Sequence, residues 1–221
     1  MSSYFITGIH TGAGKTVVTA SLAHQLKQSG EAVRALKPII SGYEETESDT
    51  ALLMQSSGET DVERVSPWRF EAPLSPHLAA AKEGRDIDPF ALVQWCQKQM
   101  AEDGTTLIEG VGGIMVPMAA NYTVLDWMKA LDIPVVLVSS SYLGAINHTL
   151  MSIETVLRAG LVLQGIIVSQ SEAEVDAGLE DTISSIRSFM ASDYPILSLP
   201  RLPESNTPWQ SAPNLLSVLD G

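Results

Sequence analysis

A glycine-rich segment near the start of the chain has the composition of a phosphate-binding loop. It reads Gly8-Ile9-His10-Thr11-Gly12-Ala13-Gly14-Lys15-Thr16 and lies between a short β-prone run and a helical pattern. Its glycines allow backbone N–H groups to surround phosphate oxygens, and the N-terminus of the following helix favours negative charge. Lys15 would reach the β- and γ-phosphates, and the Thr16 hydroxyl would bind magnesium. Five residues, rather than the usual four, separate Gly8 from Gly14-Lys15, but these parts still favour phosphate binding over a plain glycine-rich turn.

Strand-like and helical patterns alternate along the chain and would position this loop. Short β-prone or apolar runs predict strands over residues 4–7, 32–36, 105–108, 133–138, 165–168 and 194–199. Helical patterns occupy residues 17–28, 48–56, 89–100, 145–159 and 179–190. This alternation predicts a single α/β domain over residues 1–221, with a mainly parallel sheet covered by helices on both faces. Residues 41–47 and 65–76 are expected to be long loops, and residues 202–221 to lie on the surface.

Charged residues follow two of the predicted strands, where parallel sheets bind their ligands. Lys37 comes directly after the strand over 32–36, although a surface lysine is the alternative. Glu109 ends the strand over 105–108 and is followed by three glycines within four residues. A further carboxylate, Asp49, follows Ser48 before an apolar run, and helix capping alone explains that pair about as well as a binding role.

Composition narrows the possible partners and the location. The chain has 13 Lys and Arg against 26 Asp and Glu, and the net charge of -13 disfavours nucleic acid and anionic membranes as partners. Beyond residue 130 the only cations are Arg158, Arg187 and Arg201, so an anion site is expected in the first half. A single cysteine, Cys96, and a start without a signal-peptide pattern predict a cytoplasmic protein.

Several further clusters follow the glycine-rich loop in a fixed order. They are Lys37-Pro38-Ile39-Ile40-Ser41-Gly42, Ser48-Asp49, Pro73-Leu74-Ser75-Pro76-His77, Glu109-Gly110-Val111-Gly112-Gly113 with Val116-Pro117, and Leu143-Gly144-Ala145-Ile146-Asn147-His148. Together they resemble the dethiobiotin synthetase family over nearly the whole chain. The resemblance implies a P-loop NTPase-like fold and the formation of dethiobiotin, ADP and phosphate from 7,8-diaminopelargonic acid, carbon dioxide (or bicarbonate) and ATP. It also implies a magnesium requirement and a homodimer with shared sites.

The resemblance assigns roles to individual residues. The implied catalytic residues are Thr11, Lys15 and Lys37, and the implied magnesium ligands are Thr16, Asp49 and Glu109. The implied nucleotide contacts are Gly12, Ala13, Gly14, Lys15, Thr16, Val17, Asp49, Glu109, Gly110, Val111, Gly112, Ser169, Gln170, Pro200, Arg201 and Leu202. The diamine is expected at Ser41 and, through its carboxylate tail, at Gly144, Ile146 and Asn147 across the dimer interface.

Four residues, at three places in the chain, depart from the family pattern. His10 stands where aspartate is usual, and it is interpreted as a loop imidazole rather than a catalyst. Ser169-Gln170 replaces the Asn-Asp pair that recognises the base, so the preference for adenine is left open, although the Gln170 amide would still contact a base edge. Arg201 replaces an aromatic residue, and its guanidinium would stack under the base.

Two other functions share parts of this pattern. A partition or septum-site ATPase switch has the same broad fold, but such proteins carry an extra lysine five residues before Lys15, where this chain has His10. The synthetase domain of a corrinoid-type amidotransferase is also similar, but it would need a glutaminase domain from another chain.

Other conspicuous side chains are expected to be structural. Trp68, Trp95 and Trp127 lie among apolar neighbours, which predicts burial. Cys96 lies in an apolar helical pattern and is interpreted as a buried thiol rather than a nucleophile. His77 either lines the diamine site or simply begins a helix.

Overall fold

A computed structural model describes residues 2–46, 48–171 and 178–220. In chain order its strands are β1 (Ser2–Gly8), β2 (Val33–Leu36), β3 (Ile39–Ser41), β4 (Trp68–Phe70), β5 (Thr105–Glu109), β6 (Pro117–Ala119), β7 (Tyr122–Thr123), β8 (Val135–Ser140), β9 (Leu163–Ser169) and β10 (Ile196–Leu199). The α-helices are α1 (Lys15–Gln28), α2 (Asp49–Ser57), α3 (Pro76–Lys82), α4 (Pro89–Met100), α5 (Val124–Leu131), α6 (Ala145–Arg158) and α7 (Leu179–Ser188). Short 3-10 helices occupy Val62–Arg64, Pro208–Ser211 and Leu216–Val218.

The main sheet has six parallel strands in the order β10-β9-β8-β1-β5-β2. Because successive side chains of a strand face opposite ways, Phe5 and Ile6 of the central strand β1 enter two separate cores. Phe5 packs edge-to-face on Trp127 of α5, with ring centroids 4.9 Å apart. Ile6 lies in the other core with Leu22 of α1. Helices therefore cover both faces, and the predicted three-layer α/β fold is confirmed.

The segment over 65–76 is not simply a loop, contrary to the expectation from its prolines. Trp68–Phe70 forms β4, which pairs in parallel with β3. The Trp68 backbone N–H donates to Pro38 O at 3.0 Å. A strand this short, bracketed by prolines, carries no alternation that a sequence pattern detects. Of the other predicted loop, over 41–47, Glu47 lies outside the described residues.

Most of residues 202–220 are exposed or half-buried, as expected, but the segment also contributes three side chains to the core. Trp209, Leu215 and Val218 are buried in the core that contains Ile6. The Tyr4 hydroxyl donates to Leu219 O at 3.2 Å and fastens the segment to β1. Prolines interrupt this segment, so its buried apolar residues are isolated from one another. Their spacing follows neither a helical nor a strand period.

The residues expected to be structural are placed as follows. Trp127 is fully buried, whereas Trp68 and Trp95 are half-buried and contact each other edge-to-face at 6.1 Å. Cys96 of α4 is buried, and burial raises the pKa of its thiol to about 12, which agrees with an inert thiol. In the described ranges, no helix combines the length and apolar character needed to cross a membrane.

Candidate active site

The glycine-rich loop connects β1 to α1 at the carboxyl edge of the main sheet. Gly14 caps α1 with a φ of 93°, a left-handed conformation that suits glycine. A Cβ added there would lie 2.8 Å from the Ser169 Oγ at the end of β9. The loop therefore lies directly against the end of β9, two strands away from β1 in the sheet, and only glycine allows that close approach.

Lys15 begins α1 and folds back over the loop. It is 6% exposed, and its Nζ donates to His10 O at 3.0 Å. Burial lowers the pKa of Lys15 to about 8, and the positive charge of Lys37 adds to this effect. The ammonium is thus held within the curl of the loop, where it would meet a bound phosphate.

Lys37 lies between two carboxylates. Its Nζ donates to Glu109 Oε1 at 2.7 Å and also to Asp49 Oδ2. Burial alone would lower the pKa of Lys37, but the charges of Glu109 and Asp49 outweigh it, and the pKa lies above its ordinary value. Burial likewise raises the pKa of Asp49, yet Lys37 outweighs that effect and lowers it overall. Lys37 and Asp49 are therefore both charged at neutral pH.

Thr16 joins this cluster through Glu109. The Thr16 hydroxyl donates to Glu109 Oε1 at 2.8 Å, and Glu109 is 1% exposed. The second oxygen, Glu109 Oε2, is buried and has no hydrogen-bond partner among the described residues. A buried carboxylate oxygen without a partner, beside a hydroxyl and a second carboxylate, is a set of hard oxygen donors that suits magnesium. The donor set thus fits the metal that the resemblance implies.

Asp49 is better explained as part of this cluster than as a helix cap. The cap of α2 is Ser48, whose hydroxyl accepts from the Ala51 N–H at 3.4 Å. The Asp49 carboxylate instead contacts Lys37. The two residues that the sequence left ambiguous therefore have separate functions.

A cavity of about 770 Å³ opens in front of these charges. Its polar wall contains Thr11, Lys15, Thr16, Lys37, Ser41, Asp49 and Glu109. Its apolar lining residues include Ile40, Leu52, Pro73, Leu74 and Val116. The cavity therefore combines fixed charge with an apolar surface that suits a hydrocarbon chain.

A second cavity of about 750 Å³ adjoins the other side of the loop, and Gly12, Gly14 and Val17 line both. It contains the residues predicted to contact the base, namely Ser169, Gln170, Pro200, Arg201 and Leu202. Its walls also include His10, Ser140 and Tyr142. Together the two cavities straddle the loop from its phosphate-facing side to the ends of β9 and β10.

Some predicted site residues lie elsewhere. Gly144, Ile146 and Asn147 form the start of α6, and within the described chain they do not line either of these cavities. Gly110 is buried behind the cavity wall, where an added Cβ would lie 2.8 Å from the Phe5 ring. The side chain of Ala13 is buried in the core beside α1, so only the backbone of Ala13 would contact a ligand bound in the loop.

Sequence reasoning missed two features of the site. Among Pro73 to His77 it singled out His77, which lies in α3 and has its Nδ1 3.1 Å from Pro117 O. The cavity is lined instead by the four preceding residues, Pro73, Leu74, Ser75 and Pro76. It also missed that His10 packs edge-to-face on Tyr142, with ring centroids 5.0 Å apart, because these positions are distant in sequence.

Comparison with known proteins adds independent information. The family model described as AAA domain matches residues 2–208. The ATP-dependent dethiobiotin synthetase BioD of Methylobacterium nodulans is 48% identical over 185 residues, which are 77% of this chain and 82% of that protein. The ATP-dependent dethiobiotin synthetase BioD of Phenylobacterium zucineum is 37% identical over 223 residues, 96% of this chain and 93% of that protein.

Solved structures support the fold alone. The cell division ATPase MinD of Pyrococcus furiosus superposes with a TM-score of 0.55 at 18% identity, covering 85% of this chain and 80% of that protein. This likeness confirms the P-loop NTPase-like architecture and does not extend to function. The sequence relatives, in contrast, are similar over most of both chains. The protein therefore belongs to the ATP-dependent dethiobiotin synthetase family, within the AAA domain family.

Proposed function

We propose that this protein is an ATP-dependent ligase that closes the cyclic urea of dethiobiotin in biotin biosynthesis. Its substrates are 7,8-diaminopelargonic acid, carbon dioxide and ATP, and its products are dethiobiotin, ADP and phosphate. The observation that carries the proposal is the buried cluster of Lys15, Lys37 and Glu109 facing the 770 Å³ cavity. In a chain of this family, a site that combines fixed positive charge with an apolar surface suits the binding of two anions, the carbamate and ATP, and of an aliphatic diamine acid.

The proposed reaction has three steps. One amine of the diamine adds to carbon dioxide, loses a proton and becomes a carbamate. A carbamate oxygen then attacks the γ-phosphorus of ATP, so that ADP leaves and a carbamic-phosphoric mixed anhydride forms. The second amine attacks the carbonyl carbon of that anhydride, loses a proton and expels phosphate. The chain has to bring two anions together in the second step, where fixed positive charge has its largest effect.

Lys15 and Lys37 supply that charge at two different places. Lys15, held inside the loop by its bond to His10 O, would neutralise the β- and γ-phosphates. Lys37, held between Asp49 and Glu109, would lie at the carbamate and the transferring phosphoryl group. Because its carboxylate neighbours keep Lys37 protonated, it acts as a positive charge and hydrogen-bond donor rather than as a base. Thr11, on the rim of the cavity, would donate to the same group.

Thr16, Asp49 and Glu109 would hold magnesium, and the partnerless Glu109 Oε2 supports this assignment. When bound, the metal would neutralise charge on the β- and γ-phosphate oxygens. Ser41 lines the same cavity, and its hydroxyl would donate a hydrogen bond to the carbamate or accept one from its parent amine. The apolar wall formed by Ile40, Leu52 and Leu74 would cover the methylene chain.

The carboxylate tail of the diamine would bind at the start of α6, around Gly144, Ile146 and Asn147, in a second copy of the chain. Exposed Met115 and Met151 flank a further cavity of about 510 Å³ beside α6, and such apolar surface favours association. We therefore propose a homodimer of single-domain chains working in the cytoplasm.

Mixing the inactive variant Lys37→Met with Asn147→Asp should restore turnover, since in a mixed dimer one site keeps both natural residues. Mixtures as inactive as their parts would contradict a shared site.

The proposed reaction is tested by following the carbon atom. Purified protein is incubated with MgATP, 7,8-diaminopelargonic acid and carbon-13 bicarbonate, and the product is identified by mass spectrometry. Dethiobiotin that carries the label at its urea carbon is the expected product. Its absence, with the protein folded and ATP bound, would refute the proposed reaction.

A further inference from the structure

Lys37 is bonded to the same two carboxylates that are proposed to hold magnesium. Its Nζ donates to Glu109 Oε1 at 2.7 Å and also to Asp49 Oδ2. The Thr16 hydroxyl donates to that same Glu109 oxygen at 2.8 Å. The proposed metal ligands therefore already share one positively charged partner, and a divalent cation would have to compete with it.

The contact between Lys37 and Glu109 is shielded from water. The side chain of Lys37 is 7% exposed and that of Glu109 is 0% exposed. Like charges repel most strongly where water is excluded and screening is weak. Glu109 Oε2 has no hydrogen-bond partner among the described residues, but a metal bound there would still lie next to the ammonium held at Oε1. Binding of the metal through Glu109 therefore either displaces the Lys37 ammonium or loses affinity to it.

The protein alone offers few ligands to a divalent cation. In the part of the chain that the structure describes, no group of three or more His, Cys, Asp and Glu side chains could hold a metal ion. Asp49 and Glu109 supply two negative charges, and Lys37 offsets one of them. Magnesium in such sites commonly completes its ligands with substrate phosphates. Those phosphates would also give the Lys37 ammonium another anionic partner.

We propose that Lys37 acts as an internal counter-ion that weakens the binding of a divalent cation to Asp49 and Glu109 until a nucleotide is bound. The inference rests on the proposed function, since it assumes that these carboxylates hold the metal. In this role Lys37 is a positioning residue that acts through the two carboxylates, in addition to its proposed contact with the reacting groups. The cation is then expected to bind together with the nucleotide rather than before it.

Direct binding of Mn²⁺, which accepts the same oxygen ligands as Mg²⁺, tests the inference by electron paramagnetic resonance without nucleotide or diamine. Lys37→Met should bind Mn²⁺ about 10–100-fold more tightly than the wild type, the size of effect that neighbours of metal ligands commonly have. Lys37→Arg keeps the positive charge and should bind Mn²⁺ about as weakly as the wild type. Lys15→Met is the matched control, because it removes the same charge from the same cavity, but Lys15 Nζ donates to His10 O. Its Mn²⁺ affinity should change much less.

Addition of ADP tests the dependence on nucleotide. ADP should tighten Mn²⁺ binding by a larger factor in the wild type than in Lys37→Met, and equal factors would overturn that part of the inference. If Lys37→Met does not fold, Lys37→Gln takes its place, because an amide still donates hydrogen bonds but carries no charge.

The inference as a whole is overturned if the folded uncharged variant binds Mn²⁺ no more tightly than the wild type. It is also overturned if Lys15→Met or Lys37→Arg tightens binding as much as Lys37→Met, because direct contact of a charge with the carboxylates would then not set the affinity. Since Mn²⁺ binding is measured without a reaction, its outcome is separate from the formation of labelled dethiobiotin, which tests the proposed function.

Discussion

The two ends of the proposed nucleotide site are built in different ways. At the phosphate end Lys15, Lys37 and Glu109 are each at most 6% exposed, and Lys37 and Glu109 are bonded to each other. At the base end, Gln170 and Arg201 are exposed. Gln170 directly follows β9, and Arg201 lies two residues after the end of β10. Charges act most strongly where water is excluded and their positions are fixed in advance. The chemistry is therefore expected to depend on the buried end, and the choice of nucleotide on the exposed end.

The largest effect is expected at Lys37. Lys37→Met keeps the length of the side chain but leaves the Asp49 and Glu109 carboxylates facing the phosphates without a counter-charge. We expect turnover to fall by about 10²–10³-fold and the variant to be destabilised by about 3–5 kcal/mol, since Glu109 loses its buried partner. Steady-state kinetics and thermal unfolding measure both. Lys129→Met, at an exposed position of α5, is the control, and near-normal turnover in Lys37→Met would remove the distinction between the two ends.

Glu109→Gln should act on the metal. The amide keeps the shape of the side chain but loses its charge and one oxygen donor, so the magnesium concentration for half-maximal activity should rise by about tenfold or more. A magnesium titration of activity measures this change. Glu102→Gln, which removes the charge of a surface carboxylate paired with Arg34, should leave the requirement as it is. An unchanged requirement in Glu109→Gln would exclude this carboxylate as a ligand.

The two buried lysines should respond differently to pH. Burial lowers the pKa of Lys15 to about 8, whereas the carboxylates keep the pKa of Lys37 above its ordinary value despite burial. As the pH rises above about 8, Lys15 becomes neutral, and the affinity for ATP should fall by up to about tenfold per pH unit. Calorimetry in buffers of different ionisation enthalpy should also detect proton uptake on binding.

The same pKa fixes the sign of the effect on stability. Below about pH 8 Lys15 carries its proton in both the folded and the unfolded chain, and its burial as a cation is unfavourable. Between about pH 8 and the ordinary lysine pKa of about 10.4, the unfolded chain binds more protons than the folded chain. The contribution of Lys15 to the free energy of unfolding therefore rises with pH over this range. An ATP affinity that stays constant across this range would show that Lys15 remains charged.

The smallest effect is expected at the exposed end. Arg201→Ala removes a guanidinium that would stack on the base, and the dissociation constant for ATP should rise by about two- to fivefold. Turnover at saturating ATP should hardly change. A loss of turnover in Arg201→Ala comparable with that in Lys37→Met would mean that the base end takes part in the chemistry.

The sequence predicted the parts of this molecule whose signals are local. The loop before α1 and Glu109 at the end of β5 follow from residue order, because a strand, a glycine turn and a helix N-terminus each leave a pattern. Contacts between distant segments leave none. The bond of Lys37 to both carboxylates and the bond of Gln170 to the Arg201 N–H depend on how the strands are ordered in the sheet. The burial of Trp209, Leu215 and Val218 escaped prediction because isolated apolar residues have no period.

Phosphate release with and without the diamine would show whether the protein acts as a ligase. The purified protein is given MgATP and bicarbonate, and phosphate and dethiobiotin are measured together as 7,8-diaminopelargonic acid is added. We expect negligible release until the diamine is present, and then one dethiobiotin for each phosphate. Release that ignores the diamine would contradict this expectation and would identify the buried cluster as part of an ATPase instead of a ligase.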